Sequence, residues 1–339
     1  VRNRTLVLVL ATMLTLAGTW LMGKLSLDAV PDLSDVQVII RATHHGHAPQ
    51  VVEDQVTYPL ATAMLAAPGA RTVRAYTFTG DAYIYVIFED GTDPYWARTR
   101  VLEALNEIRE RLPADAKIVL GPDASGVGWI YQYALVDRTG RHDLAELRAL
   151  QDWFLRYELT SIAGVAEVAT LGGMEKQYEV RLDPMRMERE DLGYHHIRHA
   201  IADAAQEVSG SMLEIAEAEY LLRGKGYLRG IDDIKRVPLL SRWDFSAVPR
   251  VGDIANVVEA PRARRGMAEL DGDGETVGGI VVMRHGENAL ATIERVEARL
   301  AELARGLPEG VEIVETYNRA QLITRAVSTL SHRLIEEFI

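Results

Sequence analysis

Three imidazoles fall within four residues at His44-His45-Gly46-His47. Imidazole nitrogen suits monovalent and divalent transition-metal ions, so this turn carries donors for capturing one. A solvated polar turn between a strand and a helix is the competing reading, and it weighs more heavily. His195 and His199 stand four apart on a predicted helix, neighbours on one face. No third ligand accompanies them, so an exposed helix face is expected there. The chain has nine methionines and no cysteine, which leaves thioether as its only sulfur donor. Met13, Met22 and Met64 sit in apolar stretches and are read as packing residues. Asp271-Gly272-Asp273-Gly274 starts like a calcium loop, but the later bidentate Glu is out of register and a hairpin turn accounts for it better. Glu188, Glu190 and Asp191 read as a solvated acidic face. There is no nucleophile with an adjacent base, no zinc-protease motif and no phosphate loop.

The elements that carry these residues come in two copies. Val101, Leu105 and Ile108 before Leu112-Pro113 match Val296, Leu300 and Leu303 before Leu307-Pro308. Each set is the buried stripe of a helix, stopped by proline and followed by a short β-branched strand. A weaker echo pairs Gly69 to Val73 with Gly164 to Val168, each directly after an amphipathic helix. In the first copy, strands are expected at 36–42, 71–78, 83–88 and 117–120, with helices at 49–67 and 93–112. The stripe of the first helix includes Val52, Val56, Leu60 and Met64. This is the order β-α-β-β-α-β, a split βαβ motif. The second copy begins near Trp129, with a strand at 129–136, a helix at 143–162, and strands at 165–171 and 177–182. It is then interrupted from about Met185 to Arg265, an insertion at an exposed turn. It resumes with a strand at 267–282, a helix from Asn288 and a strand at 311–314.

A length of 339 residues predicts two to three domains, and 48% hydrophobic content is enough to fill their cores. A net charge of −12 excludes a phosphate-backbone binder and gives no nucleic-acid partner. Leu6 to Gly23 carries no charge and, as a helix, reaches roughly 27 Å, close to the bilayer hydrocarbon thickness. Arg2 and Arg4 precede it, so it is expected to be an uncleaved anchor with a cytoplasmic N-terminus and the rest of the chain outside the cytoplasm. The final amphipathic stretch, 320–338, is expected to lead into a second membrane helix.

Asp28 to Gln37, Gln55 to Leu60 and Val86 to Asp93 resemble the start of a heavy-metal efflux pump of the RND superfamily. Asp93 to Arg98, Gly121-Pro122-Asp123, Gly126 to Tyr131, Leu150 to Phe154 and Ala216 to Tyr220 are similar to its copper/silver, CusA-like branch. The resemblance covers essentially the whole chain and implies the N-terminal third of such a pump. The implied fold class is α+β, with one transmembrane helix (1–27) followed by two ferredoxin-like βαββαβ porter subdomains. The first occupies 28–125, and the second 126–184 and 266–318. A docking subdomain is inserted at 185–265, and 319–339 leads to the second membrane helix. The implied protein is a secondary transporter, not an enzyme, and needs no cofactor. It is a homotrimer in the cell inner membrane, in contact with membrane lipid and driven by proton antiport. It exports Cu+ or Ag+ through a periplasmic membrane-fusion adaptor and an outer-membrane channel, with most of this chain in the periplasm. Its intramembrane acids and methionine triad would lie beyond this chain. A methionine common before the Arg264-Arg265 pair is replaced by Ala263; Met267, on the other side, can substitute as a metal ligand, and packing is the weightier reading. Two alternatives stay open: an RND pump for divalent zinc, cobalt or cadmium, and a membrane-anchored periplasmic metal-binding or adaptor protein.

Overall fold

The computed structural model describes residues 4–22, 28, 30–206, 208–215, 218–224, 226–239, 248–264 and 266–338. Gly23, Ala216, Glu217 and Arg265, which figure in the sequence reading, lie outside these residues. The chain divides into two compact units, Val1–Gly173 with Gly266–Ile339, and Met174–Arg265.

The larger unit opens with α1 (Arg4–Met22), whose Thr12 and Thr15 hydroxyls donate to the carbonyls of Leu8 and Ala11 one turn back. Among the described residues no helix is long and apolar enough to cross a membrane. The expected crossing at Leu6–Gly23 is therefore not met as read.

A first module follows. It runs β1 (Gln37–Thr43), α2 (Pro49–Val52), a π-helical turn (Glu53–Thr57), α3 (Tyr58–Leu65), β2 (Ala70–Phe78), β3 (Asp81–Phe88), α4 (Pro94–Ile108) and β4 (Lys117–Leu120). Its sheet has the order β2-β3-β1-β4, with every neighbouring pair antiparallel. A second module begins with β5 (Trp129–Asp137), α5 (Leu144–Leu150), a π-helical turn (Gln151–Leu155), α6 (Arg156–Thr160) and β6 (Val165–Gly172).

The smaller unit comes next, with β7 (Lys176–Leu182), α7 (Pro184–Arg189), α8 (Tyr194–Ala204), β8 (Val208–Ile215), β9 (Ala218–Gly224), α9 (Ile231–Arg236), α10 (Val251–Ile254) and β10 (Ala255–Pro261). It has its own core, in which Ile197, Ile234, Val251, Ile254 and Val257 are buried together. Its boundary lies before β7, because β7 pairs along its whole length with β10, from Leu182 opposite Ala255 to Lys176 opposite Pro261. The sequence alone groups that strand with the second module.

That module resumes with β11 (Ala268–Glu269), β12 (Glu275–Met283), α11 (Ala289–Leu303) and β13 (Val311–Asn318), and the chain continues into α12 (Arg319–Phe338). Here β12 lies between β6 and β5, and β5 pairs β13, again all antiparallel. The order β6-β12-β5-β13 repeats that of the first sheet. The fold is thus mixed α and β on antiparallel sheets.

The duplicated helices agree in detail. Each of α4 and α11 is 15 residues long, ends in a short 3-10 turn before Leu-Pro, and is capped by a side-chain oxygen. Asp93 accepts from the Trp96 N–H at 2.7 Å and Asn288 from the Ala291 N–H at 3.0 Å. Val101 and Ile108 are buried in one core, and Val296, Leu300 and Leu303 in the other. Burial contributes about 1.5–3 kcal/mol for each such side chain, well above the few tenths expected from exposed charge pairs on the outer helix faces.

The helices after β1 and β5 hold a feature that the sequence reading did not anticipate. Val52, Val56, Leu60 and Met64 are buried, and so are Leu147, Gln151, Leu155 and Leu159. Both stripes step strictly by four. An α-helix turns 100° per residue, so a step of four overshoots by about 40° each time and drifts off the core face. A wider π turn absorbs that drift, and each stripe contains one, at Glu53–Thr57 and at Gln151–Leu155. In the second copy the polar Gln151 replaces an apolar stripe residue, and its Oε1 accepts from the buried Tyr133 hydroxyl at 2.8 Å. Tyr133→Phe is expected to cost about 1–3 kcal/mol by orphaning that oxygen, whereas Tyr133→Phe with Gln151→Leu is expected to be nearly neutral. Additive losses in a denaturant double-mutant cycle would contradict this coupling.

Candidate functional site

The histidine turn joins β1 to α2 and is clasped to the tip of the β2–β3 hairpin. The His44 N–H donates to the Gly80 carbonyl at 3.0 Å, and the Gly80 N–H donates to the His47 carbonyl at 3.1 Å. Gly46 takes φ +81°, which lets the chain reverse between these two bonds. His44 is buried, with Nε2 3.3 Å from Oδ1 of the exposed Asp115, while its buried Nδ1 has no hydrogen-bond partner. Its ring stacks on that of His47, with centroids 3.7 Å apart and planes at 20°. His47 Nδ1 lies 3.1 Å from the His45 carbonyl, and the His45 side chain is exposed.

Stacking decides what this cluster can do as it stands. Imidazole lone pairs lie in the ring plane, so near-parallel rings aim them side by side and do not converge on one ion. Consistently, among the described residues no three His, Asp or Glu side chains group as a metal centre. Met267 stands on the segment leading into β11 of the second module, 66% exposed, whereas the histidine turn belongs to the first. His195 and His199 are exposed on α8, and Glu188, Glu190 and Asp191 are exposed at the end of α7 and just after it. Asp271 to Gly274 form the turn between β11 and β12, where the Asp273 N–H donates to the Leu270 carbonyl at 3.0 Å.

A cleft that sequence reasoning missed lies between the two modules. It has a volume of about 50 Å³ and is lined by Asp32, Tyr95, Arg98, Asp123, Ser125 and His285, among others. The loop before α11 closes one side, where the His285 N–H donates to the Asp123 carbonyl at 3.0 Å and the Met283 N–H to the Gly128 carbonyl at 2.7 Å. Burial pushes the Asp32 carboxyl up, but hydrogen bonds from Ser125 and Ser34, with His285 nearby, outweigh it and hold the group below its ordinary value. The resulting stabilisation is present above the unfolded carboxylate value of about 3.9 and lost as pH falls through the lower folded one. Asp32→Asn is expected to flatten that acid limb of stability against pH in denaturant titrations, and an unchanged limb would contradict the assignment. The sequence stretches 28–37, 93–98 and 121–123 named above all line this cleft, and in the first of them Asp32 Oδ1 accepts from the Ser34 N–H at 3.1 Å.

Comparison with known proteins covers the chain from end to end. The cation efflux system protein CusA of Escherichia coli strain K12 is 54% identical over 340 residues, spanning 100% of this chain and 32% of that protein. The cobalt-zinc-cadmium resistance protein CzcA of Cupriavidus metallidurans is 32% identical over 343 residues, 99% of this chain and 32% of its own length. The crystal structure of a heavy metal efflux pump superposes with a TM-score of 0.86 at 30% identity, covering 99% of this chain and 33% of that one. The chain therefore spans about a third of the length of the relatives it matches. Residues 1–339 match one family without a gap in coverage, and with the doubled antiparallel modules this places the chain in the AcrB/AcrD/AcrF family.

Proposed function

We propose that the whole protein is an inner-membrane pump that exports monovalent copper or silver by proton antiport, and that this chain supplies its N-terminal third. The observation that carries this reading is the identity gradient, 54% to the cation efflux protein CusA against 32% to the cobalt-zinc-cadmium protein CzcA, both across essentially the entire chain. On this reading α1 anchors the chain. The outward apolar side chains of α1, such as Leu14 at 73% exposure, support that role. The two modules are ferredoxin-like porter subdomains, a reading supported by their strand orders. The smaller unit is the docking element, and α12 leads towards a second membrane helix. The partners are two further copies in a homotrimer, a periplasmic adaptor and an outer-membrane channel. The test is the full-length protein in a copper- and silver-sensitive bacterium. Resistance to silver and copper without resistance to zinc or cobalt is expected, and the reverse pattern would favour the divalent branch.

Metal capture at His44, His45 and His47 belongs to the same proposal, with Met267 as a separate thioether donor. The exposed His45 ring can take an ion as it stands, and His47 by turning off its stack. Imidazole binds metal only when neutral, so capture weakens as pH falls. Changing all three histidines to alanine is expected to lower silver resistance modestly at roughly one pH unit above the ordinary imidazole value near 6.5, and not at one unit below it. Equal resistance at both values, with unchanged metal binding by the isolated chain, would leave the turn a polar connection.

A further inference from the structure

Helix α12 begins with a cation at the wrong end. Arg319 is its first residue, where the helix dipole presents its positive pole and disfavours a guanidinium. The side chain is nevertheless buried, at 5% exposure, so it is not placed there for helix stability or solvation. Its NH1 group lies 3.1 Å from Oδ2 of Asp28, a residue 291 positions earlier and just beyond the end of α1. Its Nε is buried without a hydrogen-bond partner, which makes the Asp28 carboxylate its compensating contact. That carboxylate also brings negative charge to the helix N-terminus, so one group answers both the buried cation and the dipole.

The other side of the same turn is tied to the second module. Asn318 Oδ1 accepts from the Ala320 N–H at 2.9 Å, while Asn318 Nδ2 donates to Glu297 of α11 at 2.6 Å and to Glu315 of β13 at 2.9 Å. Gln321 donates to Glu315 at 3.1 Å, and Ile323 is buried in the core shared with Val296 and Leu300. At the first turn of α12 the second module, α12 and Asp28 are thus bound to one another by polar contacts.

We propose that the Asp28–Arg319 pair is a positioning clamp, which fixes the base of α12 to Asp28 so that Asp28, α12 and the second module move as one body. The proposal rests on the pump reading for its role in transport, but not for its structural content. Asp28→Asn in the full-length protein leaves Arg319 in place and removes only the countercharge. Amide exchange in the first turn of α12 is expected to accelerate at least about tenfold, with α4 unchanged. Silver transport in proton-loaded vesicles is expected to fall by about tenfold, the scale on which single residues alter communication between distant sites. The double variant Asp28→Leu with Arg319→Met buries no charge and is expected to restore slow exchange. A core variant of the same module, Val296→Ala, serves as the control and is expected to accelerate exchange throughout the module. Wild-type exchange in Asp28→Asn, or acceleration spread through the module as in that control, would overturn the clamp. If the wild-type pump moves no silver, the pump reading fails, and the exchange result still decides the clamp.

Discussion

Gly172→Ala is expected to destabilise the larger unit by about 3–5 kcal/mol, from a strained backbone and an overpacked site acting together. Gly172 holds φ +68°, and a Cβ built on it would stand 2.3 Å from the Thr276 carbonyl oxygen and 2.7 Å from the Ala268 Cβ. Neither neighbour can swing aside, because the oxygen belongs to the backbone of β12 and the methyl to β11, which pairs with it. Gly46 is the internal comparison. It has a similar φ of +81° with nothing within 4 Å of the added carbon. Gly46→Ala is expected to cost about 1–2 kcal/mol, the strain alone. Denaturant unfolding of the two variants checks the difference, and equal losses would mean that the close approach at Gly172 contributes nothing.

On the proposed pump reading, removing residues 174–265 is expected to abolish metal resistance of the full-length protein while leaving the two modules folded. The crowding at Gly172 is what makes the excision feasible. The chain leaves β6 and returns into β11 at points close enough for those methyl contacts, so a short linker from Gly173 to Gly266 can close the gap. Each module keeps its own core, one around Ile40, Leu60 and Val101, the other around Leu135, Leu155 and Val296. The expected result is cooperative unfolding near the parent midpoint for the shortened chain, with no assembly onto the outer components. Collapse of both modules would show that the smaller unit is part of their folding. Retained resistance would remove its docking role.

How much of this was readable beforehand follows from the range of each interaction. The helices α4 and α11 were legible because cap, stripe and Leu-Pro stop all lie within about five turns of one segment. Strand order was not written locally, since a two-residue period identifies a strand but not its neighbour. For that reason the sequence alone groups β7 with the second module, and its pairing with β10 assigns it to the smaller unit. The π turns were visible as strict steps of four, yet an α-helical template absorbs such steps unless the drift is counted. The histidines announced their donor type, but the stacking of His44 on His47 depends on ring orientation that no spacing encodes. Asp28 and Arg319 carried no local signal at all, being brought together by the fold across almost the whole chain.

The π turns also order events in the history of the chain. Both copies carry the four-step stripe, with Val52, Val56, Leu60 and Met64 each 95 positions before Leu147, Gln151, Leu155 and Leu159, the same offset that relates Gly69 to Gly164. A wide turn is costly to acquire once, and its presence on the same stripe twice is most simply an inheritance from a single ancestral module. The residues 174–265 interrupt one copy only. The helix defect is then older than the duplication, and the smaller unit is younger than it.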